Sequence, residues 1–182
     1  MALVGPPRIV RAAAHEAGHT LVAWGLPAVI RVTDVMIRDD GSGVTKEVLT
    51  KDVAAATLSW SLLSIQLGGM AGEAAVLGRS RNGPATNDLE EAVVMAEQII
   101  RGHAQDSLPW EKEGGGALPF RLMFKTPKSV EIITVLETGY RHARHLLVQR
   151  QPAFQRLAAV LIRRRHLDET VLAAMLGPRF HL

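Results

Sequence analysis

The sequence contains no cysteine, few aromatic residues and no long apolar run, and each absence excludes a class of protein. Without cysteine, disulfides, thiolate metal ligands and a cysteine nucleophile are excluded, so any metal has to be held by imidazole or carboxylate groups. No stretch reaches the roughly 18 apolar residues that cross a bilayer, and the amino terminus has no signal-peptide pattern. We therefore expect a cytoplasmic protein.

The composition is typical of a helical globular domain. The 182 residues are 47% hydrophobic and 21% charged but only 4% aromatic, which favours packed helices over a sheet-rich sandwich. The formal net charge is only +3, although arginines gather in the last third of the chain, most densely at 163–165. Because no stacking platform or recognised nucleic-acid-binding module accompanies them, we expect a solvated helix end and no nucleic-acid partner.

The most informative segment is His15-Glu16-Ala17-Gly18-His19. Residues 8–24 have helical periodicity, so the two histidines, four residues apart, lie on one helix face and can reach the same zinc ion. Glu16 lies about 100° around the helix, where its carboxylate can reach the water on that zinc and act as general base. A helix that carries these residues by coincidence is the alternative. The segment predicts a zinc hydrolase.

Periodicity and turn signals divide the rest of the chain. Ala28 to Ile37 predicts one or two short strands, and Val44-Thr45 begins a return strand after a glycine-containing turn. Asn87, followed three residues later by Glu90, has the form of a capping box at a helix start. Helices are predicted at 8–24, 51–77, 87–102, 127–150, 152–165 and 168–177, with an irregular segment at 103–126.

These elements predict a mainly α protein with a small β-sheet near the first helix. We expect a single domain over 1–182, with a metal-site half at 1–105 and C-terminal helices at 127–177.

A catalytic zinc ion takes three protein ligands, so the first helix leaves one ligand to find. A third histidine six residues after His19 is absent, because position 25 is glycine. The carboxylate candidates are Asp34, Glu47, Glu73 and Asp88. On the residues alone, Glu73 and Asp88 are equally good candidates for the third ligand.

Four separated motifs resemble the peptidase domain of the FtsH-type ATP-dependent zinc proteases. The segment from His15 to His19 resembles that family's active-site motif. Val32 to Ile37, with Gly41, Gly43 and Thr45 after it, resembles its edge strand and glycine turn. Residues 67–73, Leu-Gly-Gly-Met-Ala-Gly-Glu, resemble its Leu-Gly-Gly-Arg-Ala-Ala-Glu helix, and residues 86–90 resemble its aspartate-bearing segment. The motifs follow the family's order and cover nearly the whole chain.

The resemblance implies a zinc metalloendopeptidase with one Zn²⁺ per chain. The metal would be held by His15, His19 and Asp88, and Glu16 would be the general base. Glu73 matches a family glutamate near the metal, where it would orient a ligand imidazole.

We expect such an enzyme to hydrolyse peptide bonds of unfolded or flexible proteins. Glu16 would take the proton of the metal-activated water and pass it to the leaving amine. The substrate would add a strand to the sheet along the edge formed by Val32, Val35 and Ile37, through main-chain hydrogen bonds.

Departures from the family pattern leave an alternative open. The family's ATPase module and membrane anchor have no counterpart in the sequence, and Met70 replaces the arginine of the Leu-Gly-Gly helix. An ATPase partner would then be a separate chain, and the resemblance implies a homo-oligomer, a hexamer. The alternative function is a non-catalytic zinc-binding adaptor or regulatory module derived from the peptidase. Retention of Glu16 argues against that alternative, because only catalysis needs it.

Overall fold

The computed structural model describes residues 3–26, 30–49, 55–78, 86–102 and 129–177. Six helices and a three-stranded antiparallel sheet make up this part of the chain, which confirms the predicted mainly α fold with a small sheet. No helix among these residues has the length and apolar character needed to cross a membrane. The elements are α1 Pro7–Trp24, β1 Ile30–Ile37, β2 Gly43–Leu49, α2 Ala55–Leu77, α3 Thr86–Arg101, α4 Val130–Gln149, α5 Gln151–Arg164, β3 His166–Asp168 and α6 Glu169–Leu176.

The first helix lies in the centre of the described structure. Pro7 suits its first turn, where no amide hydrogen is needed for the helix. Ile9, Ala13, Ala17 and Leu21 recur at every fourth position and are each 2% exposed or less. The helix is covered by α2, by β1 and by α5. The side chains of α1 are therefore held in fixed positions by the core around them.

The backbones of α1 and α2 meet where glycine faces glycine. A β-carbon at Gly18 would overlap the carbonyl oxygen of Gly68, and one at Gly72 would overlap the carbonyl oxygen of Ala14. Glycine costs about 1 kcal/mol against alanine inside a helix, and the close approach explains its use here. The close approach brings the histidine-bearing face of α1 against α2.

The sheet has the order β2-β1-β3, with β1 in the middle. β1 pairs with β2 from end to end, and with β3 from Asp34 to Met36. The predicted substrate edge on β1 is therefore wrong, and its residues Val32, Val35 and Ile37 are each 2% exposed or less. Within the described residues, β2 forms one outer edge of the sheet and the three-residue β3 forms the other.

Helix ends lie within a few residues of the predicted ones. α3 begins at Thr86, so Asn87 lies inside the first turn and the predicted capping box is wrong. Asp168 caps α6, because its carboxylate accepts a hydrogen bond from the Val171 amide. β3 was not predicted, since three residues are too few to form an alternating pattern.

Parts of several predicted elements lie outside the described residues. These parts are 28–29 of the first strand, 51–54 of the second helix, 127–128 of the fourth helix and the segment 103–126. The division into halves at 1–105 and 127–177 stays a prediction.

Candidate metal centre

α1 places two imidazoles side by side, one helical turn apart. The Nε2 atoms of His15 and His19 are 3.0 Å apart, and the rings meet edge to face. A β-carbon at Gly69 of α2 would lie 2.5 Å from His19 Nε2 and 2.6 Å from His15 Nε2. The missing side chain at Gly69 therefore leaves room for the two rings and for a group between them.

Asp88, in the first turn of α3, completes a cluster of three ligand groups. Its Oδ2 atom lies 2.7 Å from His15 Nε2 and 3.5 Å from His19 Nε2. Tetrahedral zinc with bonds of about 2.0–2.1 Å separates its ligand atoms by roughly 3.3 Å. The three separations, 2.7, 3.0 and 3.5 Å, bracket that value. The residues therefore fit a zinc ion.

The outer nitrogens of both imidazoles are held by acceptors on α2. His15 Nδ1 lies 2.9 Å from Glu73 Oε1, and His19 Nδ1 lies 2.8 Å from the Ile65 carbonyl oxygen. Because a carboxylate and a carbonyl only accept, Nδ1 carries the proton in each ring. In the neutral tautomer both Nε2 atoms then present a lone pair to the space between them, as metal ligation requires.

The electrostatics of the cluster favour a positive charge. Burial alone would lower the pKa of His15, but hydrogen bonds to the Asp88 and Glu73 carboxylates outweigh it and raise this pKa to about 9. Burial of Asp88 likewise favours its neutral form, yet hydrogen bonds from His15 and His19 hold its pKa well below the usual range. Either a proton on His15 or a metal cation supplies the positive charge that the Asp88 and Glu73 carboxylates favour.

Glu16 lies beside this cluster but outside it. Its side chain is buried, and Oε2 accepts a hydrogen bond of 2.8 Å from the Thr45 hydroxyl of β2. A β-carbon at Gly43 would lie 2.5 Å from Oε1, so glycine is needed there for the carboxylate to keep its place. Glu16 is not one of the three clustered groups, but it lines the same cleft as they do.

A cleft of about 450 Å³ opens in front of the cluster. Its walls come from α1, from the turn and first half of β2, from α2 and from the start of α3. Glu16 and the three clustered groups line it together with Gly43 and Thr45. A chain entering the cleft would meet the β2 edge and the candidate ligands at the same time.

Arg11 is a supporting residue that sequence reasoning missed. Arg11, one turn before His15, donates a hydrogen bond of 2.8 Å from Nε to Glu73 Oε2. Glu73 is only 1% exposed, so its charge needs this partner. The spacing of four residues between Arg11 and His15 was the available signal, since it places both on one helix face.

The other two carboxylate candidates, Asp34 and Glu47, do not join the cluster. Asp34 pairs with His166 at 2.9 Å on the sheet. Glu47 lines the cleft apart from the three clustered groups. Of the other histidines in the sequence, His142 shares a hydrogen bond with Ser64 of α2. His103 and His181 lie outside the described residues.

Comparison with known proteins gives consistent matches. A family model described as Peptidase family M41 matches residues 8–107. The ATP-dependent zinc metalloprotease FtsH 1 of Symbiobacterium thermophilum is 31% identical over 189 residues, which cover 94% of this chain and 31% of that protein. FtsH 3 of Sphaerobacter thermophilus is 31% identical over 201 residues, 97% of this chain and 39% of that protein. The chain spans about a third of the length of the curated relatives it matches.

The matched region contains every residue of the cluster and its supports. It runs from the first turn of α1 through the end of α3, so it includes the two histidines, the glutamate between them, the Leu-Gly-Gly helix and Asp88. The resemblance found in the sequence is confirmed, and the chain belongs to peptidase family M41.

Proposed function

We propose that this chain is a zinc-dependent endopeptidase whose metal is held by His15, His19 and Asp88. The observation that carries the proposal is the convergence of these three groups beside the buried carboxylate of Glu16. Three ligands leave one position of tetrahedral zinc open, which is characteristic of catalytic rather than structural zinc sites. The related proteins carry the description zinc metalloprotease, which agrees with this choice of metal and reaction.

When bound, zinc would acidify a water molecule and polarise the carbonyl oxygen of the scissile peptide bond. Glu16 accepts the proton from the attacking water and then delivers it to the leaving nitrogen. Thr45 holds Oε2 of Glu16 in place, so that the carboxylate can serve in both steps from one position. Glu73 and the Ile65 carbonyl keep the imidazoles aimed at the metal.

The free edge of β2 replaces the predicted β1 edge as the surface for the substrate. The Arg38 amide donates to the Ser42 carbonyl, so the backbone of Ser42 points toward β1. These directions alternate along an antiparallel strand, so Gly43 and Thr45 turn their backbone groups to the free edge. An extended peptide pairing there would lie beside Glu16. Only unfolded or flexible chains supply such a segment.

A folded substrate would need an unfolding partner. The related proteins are described as ATP-dependent and are about three times as long as this chain. We propose that folded substrates reach this site through an ATPase, whereas unstructured substrates are cleaved without one.

The test is cleavage of casein, an unstructured substrate, by the zinc-loaded chain. Replacing Glu16→Gln keeps the shape of the side chain but removes the base, so we expect zinc to stay bound and cleavage to fall by at least ~100-fold. Glu90→Gln is the matched control, because Glu90 is exposed on α3 away from the cleft. Full cleavage by Glu16→Gln would contradict the mechanism. A zinc-loaded wild-type chain that cleaves nothing would instead support the non-catalytic adaptor.

A further inference from the structure

Gln66 bridges α2 and α3 at the metal cluster. Its Nε2 atom lies 3.1 Å from Asp88 Oδ1 and 2.9 Å from Glu91 Oε2. Carboxylate oxygens only accept hydrogen bonds, so the amide can face them only with its two N–H groups. Each N–H then serves one carboxylate, and the orientation of the Gln66 side chain is fixed by its partners.

The two oxygens of Asp88 consequently have different surroundings. Oδ2 faces the imidazoles of His15 and His19, at 2.7 and 3.5 Å. Oδ1 faces Gln66 on the other side. We propose that Gln66 is a positioning residue that keeps Asp88 a one-oxygen ligand, so that a further coordination position stays open for water. This inference rests on the proposed zinc site.

The need for such a partner follows from where Asp88 lies. Its side chain is 22% exposed, and it belongs to the first turn of a helix, so the surrounding core does not fix its torsion angles. A carboxylate that is free to rotate can turn both oxygens to a cation and fill the position that water needs. A hydrogen bond to Oδ1 opposes that rotation.

α2 thereby supports all three ligand groups. The Ile65 carbonyl holds His19, the Gln66 amide holds Asp88, and Glu73 holds His15. Gln66 and Glu73 are seven residues apart, which places them on the same face of α2 two turns apart. One helix therefore sets the orientation of ligands that come from two other helices.

The test is zinc affinity in Gln66→Met, which keeps the length of the side chain and removes the donor. Loss of such a supporting bond typically weakens metal binding by about 10–100-fold, and we expect that change in Kd. With Co²⁺ in place of zinc, the visible absorption spectrum should change to one typical of a higher coordination number, since Asp88 then supplies both of its oxygens to the ion. kcat on casein should fall more than KM changes.

The fold should survive this substitution. Asp88 and Gln66 are both partly exposed, so water can replace the lost bond in the metal-free chain. We expect the melting temperature in EDTA to stay within a few degrees of the wild-type value. Gln98→Met, on the exposed side of α3, is the matched control and should leave zinc affinity unchanged. Gln66→Leu, also unable to donate, repeats the test should the methionine variant aggregate.

A Gln66→Met protein with wild-type zinc Kd and a wild-type Co²⁺ spectrum would overturn the role of Gln66 while leaving the zinc site intact. A wild-type chain that binds no zinc would overturn the proposed function as well. The wild-type measurement therefore distinguishes the two failures.

Discussion

Gly69→Ala should weaken zinc binding much more than it destabilises the fold. The added methyl would lie 2.5 Å from His19 Nε2 and 2.6 Å from His15 Nε2, whereas ordinary van der Waals contact begins at 3.4 Å. Zinc lies about 2.0–2.1 Å from its histidine nitrogens, so the methyl also intrudes on the space that the ion would occupy. The substitution therefore acts on the ligands and on the metal position together.

The energies differ between the metal-free and zinc-bound states. Without metal, the rings escape by giving up the Nδ1 bonds to Glu73 and to the Ile65 carbonyl, which costs about 2 kcal/mol for two hydrogen bonds. Alanine in a helix gains about 1 kcal/mol over glycine. The net loss of about 1 kcal/mol lowers the melting temperature by ~2–4 °C. Zinc needs both rings back in the filled space, so we expect its affinity to fall by ~100-fold or more, about 2.7 kcal/mol.

Gly72→Ala, about one helical turn further along α2, is the comparison. There the methyl would meet the carbonyl oxygen of Ala14, a backbone atom that cannot rotate away, so the fold itself should be lost. Zinc Kd is measured by competition with a chromophoric chelator, and stability by circular dichroism in EDTA. If Gly69→Ala bound zinc as tightly as the wild type, the placement of the metal between the two imidazoles would be refuted.

Two further predictions concern the fold away from the metal. Arg165 ends α5 at φ +66°, so Arg165→Gly should relieve about 1 kcal/mol of backbone strain and raise the melting temperature by ~2–4 °C; an unchanged or lower value would contradict this. Burial lowers the pKa of His142 to about 4, so the unfolded chain, whose histidine pKa is near 6.5, takes up this proton first as pH falls. The stability contributed by neutral His142 is therefore complete above about pH 6.5 and lost toward pH 4. The urea midpoint of the metal-free protein should drop less over that window in His142→Asn than in the wild type, and equal drops would count against the assignment.

The part of the site that lies on one helix could be predicted from the sequence. His15, Glu16 and His19 are related by the period of α1, and the structure places them as that period requires. Predicting Asp88 as a ligand needed more than helical periodicity, because its approach to the histidines depends on how α3 packs against α2. Only the ordered set of motifs pointed to it over Glu73, and the structure brings both residues to His15, each on a different ring nitrogen.

Contacts that depend on how elements pack could not be predicted. Gln66 and Arg11 reach their carboxylate partners across 22 and 62 residues of sequence, and no local pattern encodes those distances. The position of β1 in the sheet was predicted wrongly for a similar reason. The alternation in β1 indicates a strand but not its neighbours, and the three-residue β3 that takes its second edge has no periodic signal.

The measurement that tests the central claim most directly is the zinc content of wild type and Asp88→Ala after dialysis, determined by inductively coupled plasma mass spectrometry. Glu90→Ala, an exposed acid two residues along α3, is the control. We predict one zinc per chain in the wild type and the control, and little or none in Asp88→Ala at the same free zinc concentration. A full equivalent of zinc retained by Asp88→Ala, or none bound by the wild type, would contradict the assignment of His15, His19 and Asp88 as the metal site.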